Sequence, residues 1–160
     1  NLINRIRFMV VGLGCRWVIL DHLSIVVSGI DDGDERKTID VIMTKLATLC
    51  QETGCGLIVV SHLRRPDGDK GHEEGAITSL SQLRGSHSIA QLSFTVIGLE
   101  RNQQSAESKH VTSVRVLKCR FTGDTGIATH LIYSPDTGRL SEFTPEMAKA
   151  AMSGDTEGEF

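Results

Sequence analysis

Two kinds of spacing alternate along the first hundred residues. Trp17-Val18-Ile19-Leu20 is a short, continuous apolar run that stops at Asp21, the pattern of a strand covered on both faces. Residues 28–34 are rich in Gly and Asp and read as a loop. From Glu35 to Thr53, Ile39, Ile42, Met43, Leu46, Leu49 and Cys50 recur at the i, i+3, i+4, i+7 spacing of one helical face. Asp34 is placed to cap the start of that helix and Gly54 to end it. A second apolar run, Leu57-Ile58-Val59-Val60, ends at Ser61-His62. A polar loop over 64–78 follows, then a short helical stretch over 79–92 interrupted by Gly85, then a third strand over 95–99. Strand, helix, strand at these lengths is the signature of βαβ units on a parallel sheet. From Val111 onward, long strands are joined by Thr122-Gly123-Asp124-Thr125-Gly126 and by Ser134-Pro135-Asp136-Thr137-Gly138, turn chemistry that predicts antiparallel hairpins. The pattern therefore predicts an α/β fold, a mostly parallel sheet with flanking helices and C-terminal antiparallel hairpins.

Composition narrows the class. A chain of 160 residues is the length of one domain and buries a core without disulfides or metal. With 39% hydrophobic and 23% charged residues it is neither disordered, collagen-like nor coiled coil over most of its length. No apolar stretch approaches the ~18 residues of a spanning helix, which excludes a membrane partner of that kind. The four cysteines form no Cys-x-x-Cys pair, and three lie in apolar runs, so they are expected to be reduced core residues of a cytosolic protein. A net charge of −3 argues against wholesale nucleic-acid binding and leaves local patches open. The chain opens on Asn1 with neither Met nor signal peptide and is read as a fragment. Its last twenty residues hold Glu142, Glu146, Asp155, Glu157 and Glu159 against Lys149, which predicts a disordered acidic tail over 153–160. The expected division is a domain over 1–145 and a flexible tail over 146–160.

In an open parallel sheet ligands gather at the carboxyl ends of the strands, and the residues there are Asp21 and His62. An Asp after four hydrophobics can hold the water shell of a nucleotide's Mg2+, and Asp also closes strands simply as a turn residue. A His at the end of the neighbouring strand can hydrogen-bond a terminal phosphate and report its loss, although a lone strand-end His is commonly structural. Val114, Val116, Lys118 and Arg120 share one strand face by the period of two, while Leu117 and Cys119 face the other way. Two adjacent cations repel unless an anion or partner lies between them. In the loop Arg64-Arg65-Pro66-Asp67-Gly68-Asp69-Lys70, cations among flexible residues suit a phosphate-backbone contact and equally an ordinary surface loop.

Taken in order, Leu20-Asp21-His22-Leu23-Ser24, Asp34-Glu35-Arg36-Lys37, Ser61-His62-Leu63 with His72-Glu73-Glu74-Gly75, Leu83-Arg84-Gly85-Ser86, Leu99-Glu100-Arg101-Asn102-Gln103-Gln104 and Leu117-Lys118-Cys119-Arg120-Phe121-Thr122-Gly123-Asp124-Thr125-Gly126 form a specific series. The series closely resembles the helicase domain of the primase-helicases of short-tailed lytic phages, members of the DnaB-like ring helicases with a RecA-like core. The resemblance implies that Asp21 is the metal-shell aspartate and His62 the γ-phosphate sensor. It implies that the loop over 63–75 lines a channel and touches single-stranded DNA through Arg64 and Lys70. Arg84, Gly85 and Gln91 would couple nucleotide state to DNA contact, and Arg101 and Tyr133 would clamp the base. Lys118 and Arg120 would reach across a subunit interface, Arg120 as an arginine finger. Gly68 and Ala90 depart from the family, standing where the compared phage protein has a lysine and an arginine.

The phosphate loop Gly-x-x-x-x-Gly-Lys-[Ser/Thr] occurs nowhere in the 160 residues; Val11-Gly12-Leu13-Gly14-Cys15 lacks the lysine. The resemblance therefore implies the C-terminal part of a motor, inactive alone. The whole would be a ring, commonly a hexamer, that hydrolyses ATP or dTTP with Mg2+ to move along single-stranded DNA in the host cytoplasm. The tail would dock on the replicative DNA polymerase through Phe160. Rival readings are another RecA-like ATPase and a non-catalytic replisome module.

Overall fold

The computed structural model describes residues 2–28, 34–66, 68–85, 87–144 and 147. It divides into one unit of Asn1–Arg64 with Leu80–Phe94 and a second of Arg65–Ser79 with Thr95–Phe160. In the first unit the order is α1 (Leu2–Arg7), a π-helical turn (Phe8–Gly12), β1 (Trp17–Leu20), α2 (Leu23–Ser28), α3 (Glu35–Thr53), β2 (Gly56–Val59), a 3-10 turn (Leu80–Gln82) and α4 (His87–Leu92).

Helix α3 starts and stops where its sequence dictates. The Asp34 carboxylate accepts from the Lys37 amide at 3.2 Å. Gly54 takes the left-handed conformation at φ 69° and donates to the Cys50 carbonyl, closing the last turn. Its apolar stripe, Ile39, Ile42, Met43, Leu46 and Leu49, is buried with Ile6, Val18, Leu23, Val27 and Ile89. Strands β1 and β2 pair in parallel from Trp17↔Gly56 to Leu20↔Val59. Val18, Leu20, Leu57 and Val59 join this core. Trp17, Ile19 and Ile58 alternate with them and stay exposed, Trp17 at 70%. Gly56 makes room for the indole, since a Cβ there would come within 2.2 Å of the ring.

The second unit contains β3 (Thr95–Glu100), β4 (Val111–Cys119), β5 (Gly126–Ser134) and β6 (Arg139–Glu142), an antiparallel sheet in that order. Register shifts fall between Val96 and Ile97 and between Val114 and Arg115. Both expected hairpins form, the second closed by Gly138, at φ 67°, donating to the Ser134 carbonyl. The parallel pairing is narrower than the periodicity suggests. Strand β3 pairs antiparallel with β4, and among the described residues only β1 and β2 run parallel. The short connection over 101–110 accounts for the antiparallel pairing of β3 with β4, because a parallel neighbour needs a crossover of a dozen residues or more.

The cysteine expectation is corrected in part. All four are free, but only Cys55 is buried; Cys50 packs against the core from its edge, while Cys15 and Cys119 are half-exposed. Burial and the neighbouring Cys55 push the Cys50 thiol up to about 11. No helix among the described residues is long and apolar enough to cross a membrane. The acidic tail over 153–160, Phe160 included, lies outside the described residues.

Candidate functional site

In the first unit the site begins where β1 and β2 end. The Val60 amide donates to the Leu20 carbonyl at 2.9 Å and the Leu23 amide to the Val60 carbonyl at 3.0 Å. These bonds lock the two strand ends together, so Asp21 and His62 leave the sheet at one edge, both exposed. The peptide between Asp21 and His22 is cis. The His22 ring meets the His62 ring edge-on, centroids 4.2 Å apart, and its Nδ1 is buried without a hydrogen-bond partner. No periodic or spacing signal in the sequence gives His22 a role of its own beside Asp21.

Asp21 offers a single carboxylate and no ready-made cage for a metal ion. Among the described residues no three His, Cys, Asp or Glu groups cluster to cage an ion. A single exposed carboxylate at a strand end suits Mg2+ brought in on phosphates, an ion that keeps several waters and takes one or two protein carboxylates.

The chain after His62 folds back on itself. Leu63 and Leu83 form an antiparallel bridge, the Arg64 amide donates to the Gln82 carbonyl at 2.7 Å, and the Arg84 amide donates to the His62 carbonyl at 3.0 Å. Arg64, Arg84 and Gly85 thereby line, with Asp34, Glu35 and Arg36, an open depression of about 360 Å³. Arginine forks grouped in this way suit phosphate oxygens. Gly85 is required twice over. Its φ is +107°, and a Cβ would lie 2.2 Å from Ile39 Cδ1. Arg36, on the first turn of α3, lines the same depression as Arg64, a placement that emerges only from the fold. Gln91 is exposed on α4.

In the second unit Lys118 lies on β4 and Arg120 just beyond its end. Desolvation, and then repulsion from Arg120, holds the Lys118 ammonium below its ordinary value. Arg101 and Tyr133 meet the same short segment. Arg101 Nε donates to the Lys109 carbonyl at 2.5 Å, and the Tyr133 amide donates to the His110 carbonyl at 2.8 Å. The His110 ring stacks on Tyr133 with centroids 6.5 Å apart, a contact between residues too far apart in sequence to be read there. Lys70 is exposed in the loop of this unit. The sites thus form two sets: Asp21, His62, Arg64, Arg84, Gly85 and Gln91 in the first unit, and Lys70, Arg101, Lys118, Arg120 and Tyr133 in the second.

The family model of the DnaB-like helicase C-terminal domain matches residues 1–142. A DNA helicase/primase of Enterobacteria phage T3 is 50% identical over 140 residues, which are 88% of this chain and 25% of that protein. The chain thus spans about a quarter of that relative's length. Among solved structures, a DnaB-like replicative helicase studied with its primase superposes with a TM-score of 0.65 at 21% identity, covering 80% of this chain and 30% of the other. A KaiC-like protein from Pyrococcus horikoshii gives 0.62 at 14% identity, covering 90% and 56%. These two likenesses establish the α/β RecA-like fold.

Proposed function

This chain belongs to the DnaB-like helicase C-terminal domain family, and from that premise we propose that it is the C-terminal part of the motor of a ring-forming replicative DNA helicase driven by nucleotide hydrolysis. The observation that carries most weight is the bond from the Arg84 amide to the His62 carbonyl. It ties the strand-end histidine to the arginine-lined depression, which supports reading them as a nucleotide contact and a DNA contact that act on each other.

On this reading Asp21 holds the water shell of Mg2+, which when bound neutralises charge on the β- and γ-phosphates of ATP or dTTP. His62 donates a ring N–H to the γ-phosphate. When that phosphate leaves, the lost bond lets His62 shift, and Arg84, whose amide donates to the His62 carbonyl, shifts with it. Arg64 and Arg84, with the Gly85 backbone, hold phosphates of single-stranded DNA, Lys70 is a phosphate contact of the second unit, and Gln91 belongs to the coupling segment of Arg84 and Gly85. Arg101 and Tyr133 hold the base of the nucleotide. Lys118 and Arg120 act on the nucleotide of a neighbouring subunit in the ring. There Arg120 stabilises the charge that develops as water attacks the γ-phosphate in line. Phe160, within the acidic stretch over 153–160, contacts a replicative DNA polymerase and recruits it.

The test is subunit mixing in the full-length protein. Arg120→Ala should cut strand-stimulated hydrolysis by about 10³-fold while sparing nucleotide binding, the scale on which an arginine finger acts. Mixed with subunits carrying Asp21→Asn, it should regain activity, because each variant supplies what the other lacks at a shared interface. If rings assemble from both variants and no mixing ratio restores hydrolysis, the action of Arg120 across the interface is wrong.

A further inference from the structure

The loop over 65–79 is fastened to the second unit far more firmly than a surface connection needs to be. Thr78 is only 4% exposed, and both its amide and its hydroxyl donate to Glu100 Oε1 at 2.8 Å. The same carboxylate takes Arg115 in two prongs, Nε to Oε1 at 2.7 Å and Nη2 to Oε2 at 3.2 Å. The Glu100 side chain is 8% exposed and that of Arg115 20%. A buried carboxylate with four donors is held in one geometry, since each lost partner would leave a desolvated charge. Gly98 lets the loop lie this close, because a Cβ there would sit 2.1 Å from Thr78 Oγ1. Two more fastenings follow along the chain, a bridge between Glu74 and Asn102 and the Gln103 amide donating to the Glu73 carbonyl at 2.8 Å. The segment Leu99-Glu100-Arg101-Asn102-Gln103-Gln104, conspicuous in the sequence and otherwise represented in the site by Arg101 alone, therefore grips the loop's second half. Lys70 lies before the gripped part. Arg115 stands three residues ahead of Lys118 on β4.

We propose that Glu100, with Arg115 and Thr78, is a positioning residue: it latches the foot of the DNA-contacting loop to the strand that carries Lys118 and leads into Arg120, so that a strand held by Lys70 is registered at the two cations. This rests on the function proposed above and adds to it the part that transmits. Glu100 touches neither nucleotide nor DNA, and its effect is read in their coupling.

Two variants of the full-length protein test the latch, Glu100→Gln, which keeps an acceptor and removes the charge, and Thr78→Val, which keeps shape and amide and removes the hydroxyl bond. Hydrolysis is measured with and without single-stranded oligothymidylate, together with the KM for nucleotide. In Glu100→Gln the strand-free rate and KM should stay within about twofold of wild type, while the stimulation by the oligonucleotide falls by about tenfold, the scale of a hydrogen bond to a charged group. Thr78→Val should lose stimulation in the same sense and by less. Unchanged stimulation in both variants overturns the latch and leaves the proposed function standing. Loss of strand-free and stimulated rates in parallel also overturns it, since Glu100 then only holds the fold together. A wild-type protein indifferent to single strands removes the proposed function itself, and the latch with it.

Discussion

Glu100 carries a prediction of its own. Burial opposes its charge, but the bonds from Arg115 and Thr78 outweigh burial and hold the carboxyl below its ordinary value. A carboxylate depressed in the folded chain stabilises it above the unfolded value, and that stability is lost as pH falls through the folded one. Thermal melts of wild type and Glu100→Gln should therefore differ most near neutrality and converge on acidification through the carboxylate range. A gap that persists below that range would mean that the carboxylate is not the source. At this scale the sequence shows strand-end residues well and networks poorly. Asp21 and His62 stand out in the sequence because an apolar run ends at the one and just before the other. Glu100, Thr78 and Arg115 meet across separations of 15 and 22 residues, and His110 and Tyr133 across a similar span, with no local signal to link them.

Among the elements, α3 was legible to the residue because its stripe, its cap and its terminal glycine agree. The helices α1 and α2 were not, being six residues each, too short for a helical period to stand out from an apolar run. The turn before α4 is the most constrained connection, and its substitution should show it. Gly85→Ala forces a side chain into φ +107° and against Ile39, a strain of about 1–3 kcal/mol. Because Arg84 is the adjacent residue, the variant should melt earlier and also hold single strands more weakly in the full-length protein. Calorimetry and strand-binding titration check the two halves separately. Wild-type affinity at reduced stability would show that the turn does not place Arg84. By contrast, the exposed Arg7–Glu52 ion pair between α1 and α3 should matter little.

Over the whole molecule, the fold class was legible from alternating periods and the antiparallel half from its turns. The extent of parallel pairing was not, because a buried apolar run looks the same whichever way its neighbour runs. The chain contains Asp21 and His62 but no Gly-x-x-x-x-Gly-Lys-[Ser/Thr], so by itself it should release no phosphate from ATP or dTTP. Metal-dependent turnover by the purified chain that vanishes with Asp21→Ala would contradict this. The open face of β1 and β2 offers a different kind of access. Trp17 is the sole tryptophan of the 160 residues, and it lies on that face, 70% exposed and stacked over Gly56. Its fluorescence belongs to one address. Emission from the chain alone should resemble indole in water and be readily quenched by iodide. Anything that comes to cover the sheet, whether more of the same polypeptide or another copy, would shift that emission to the blue and shield it, reporting on one surface without a label.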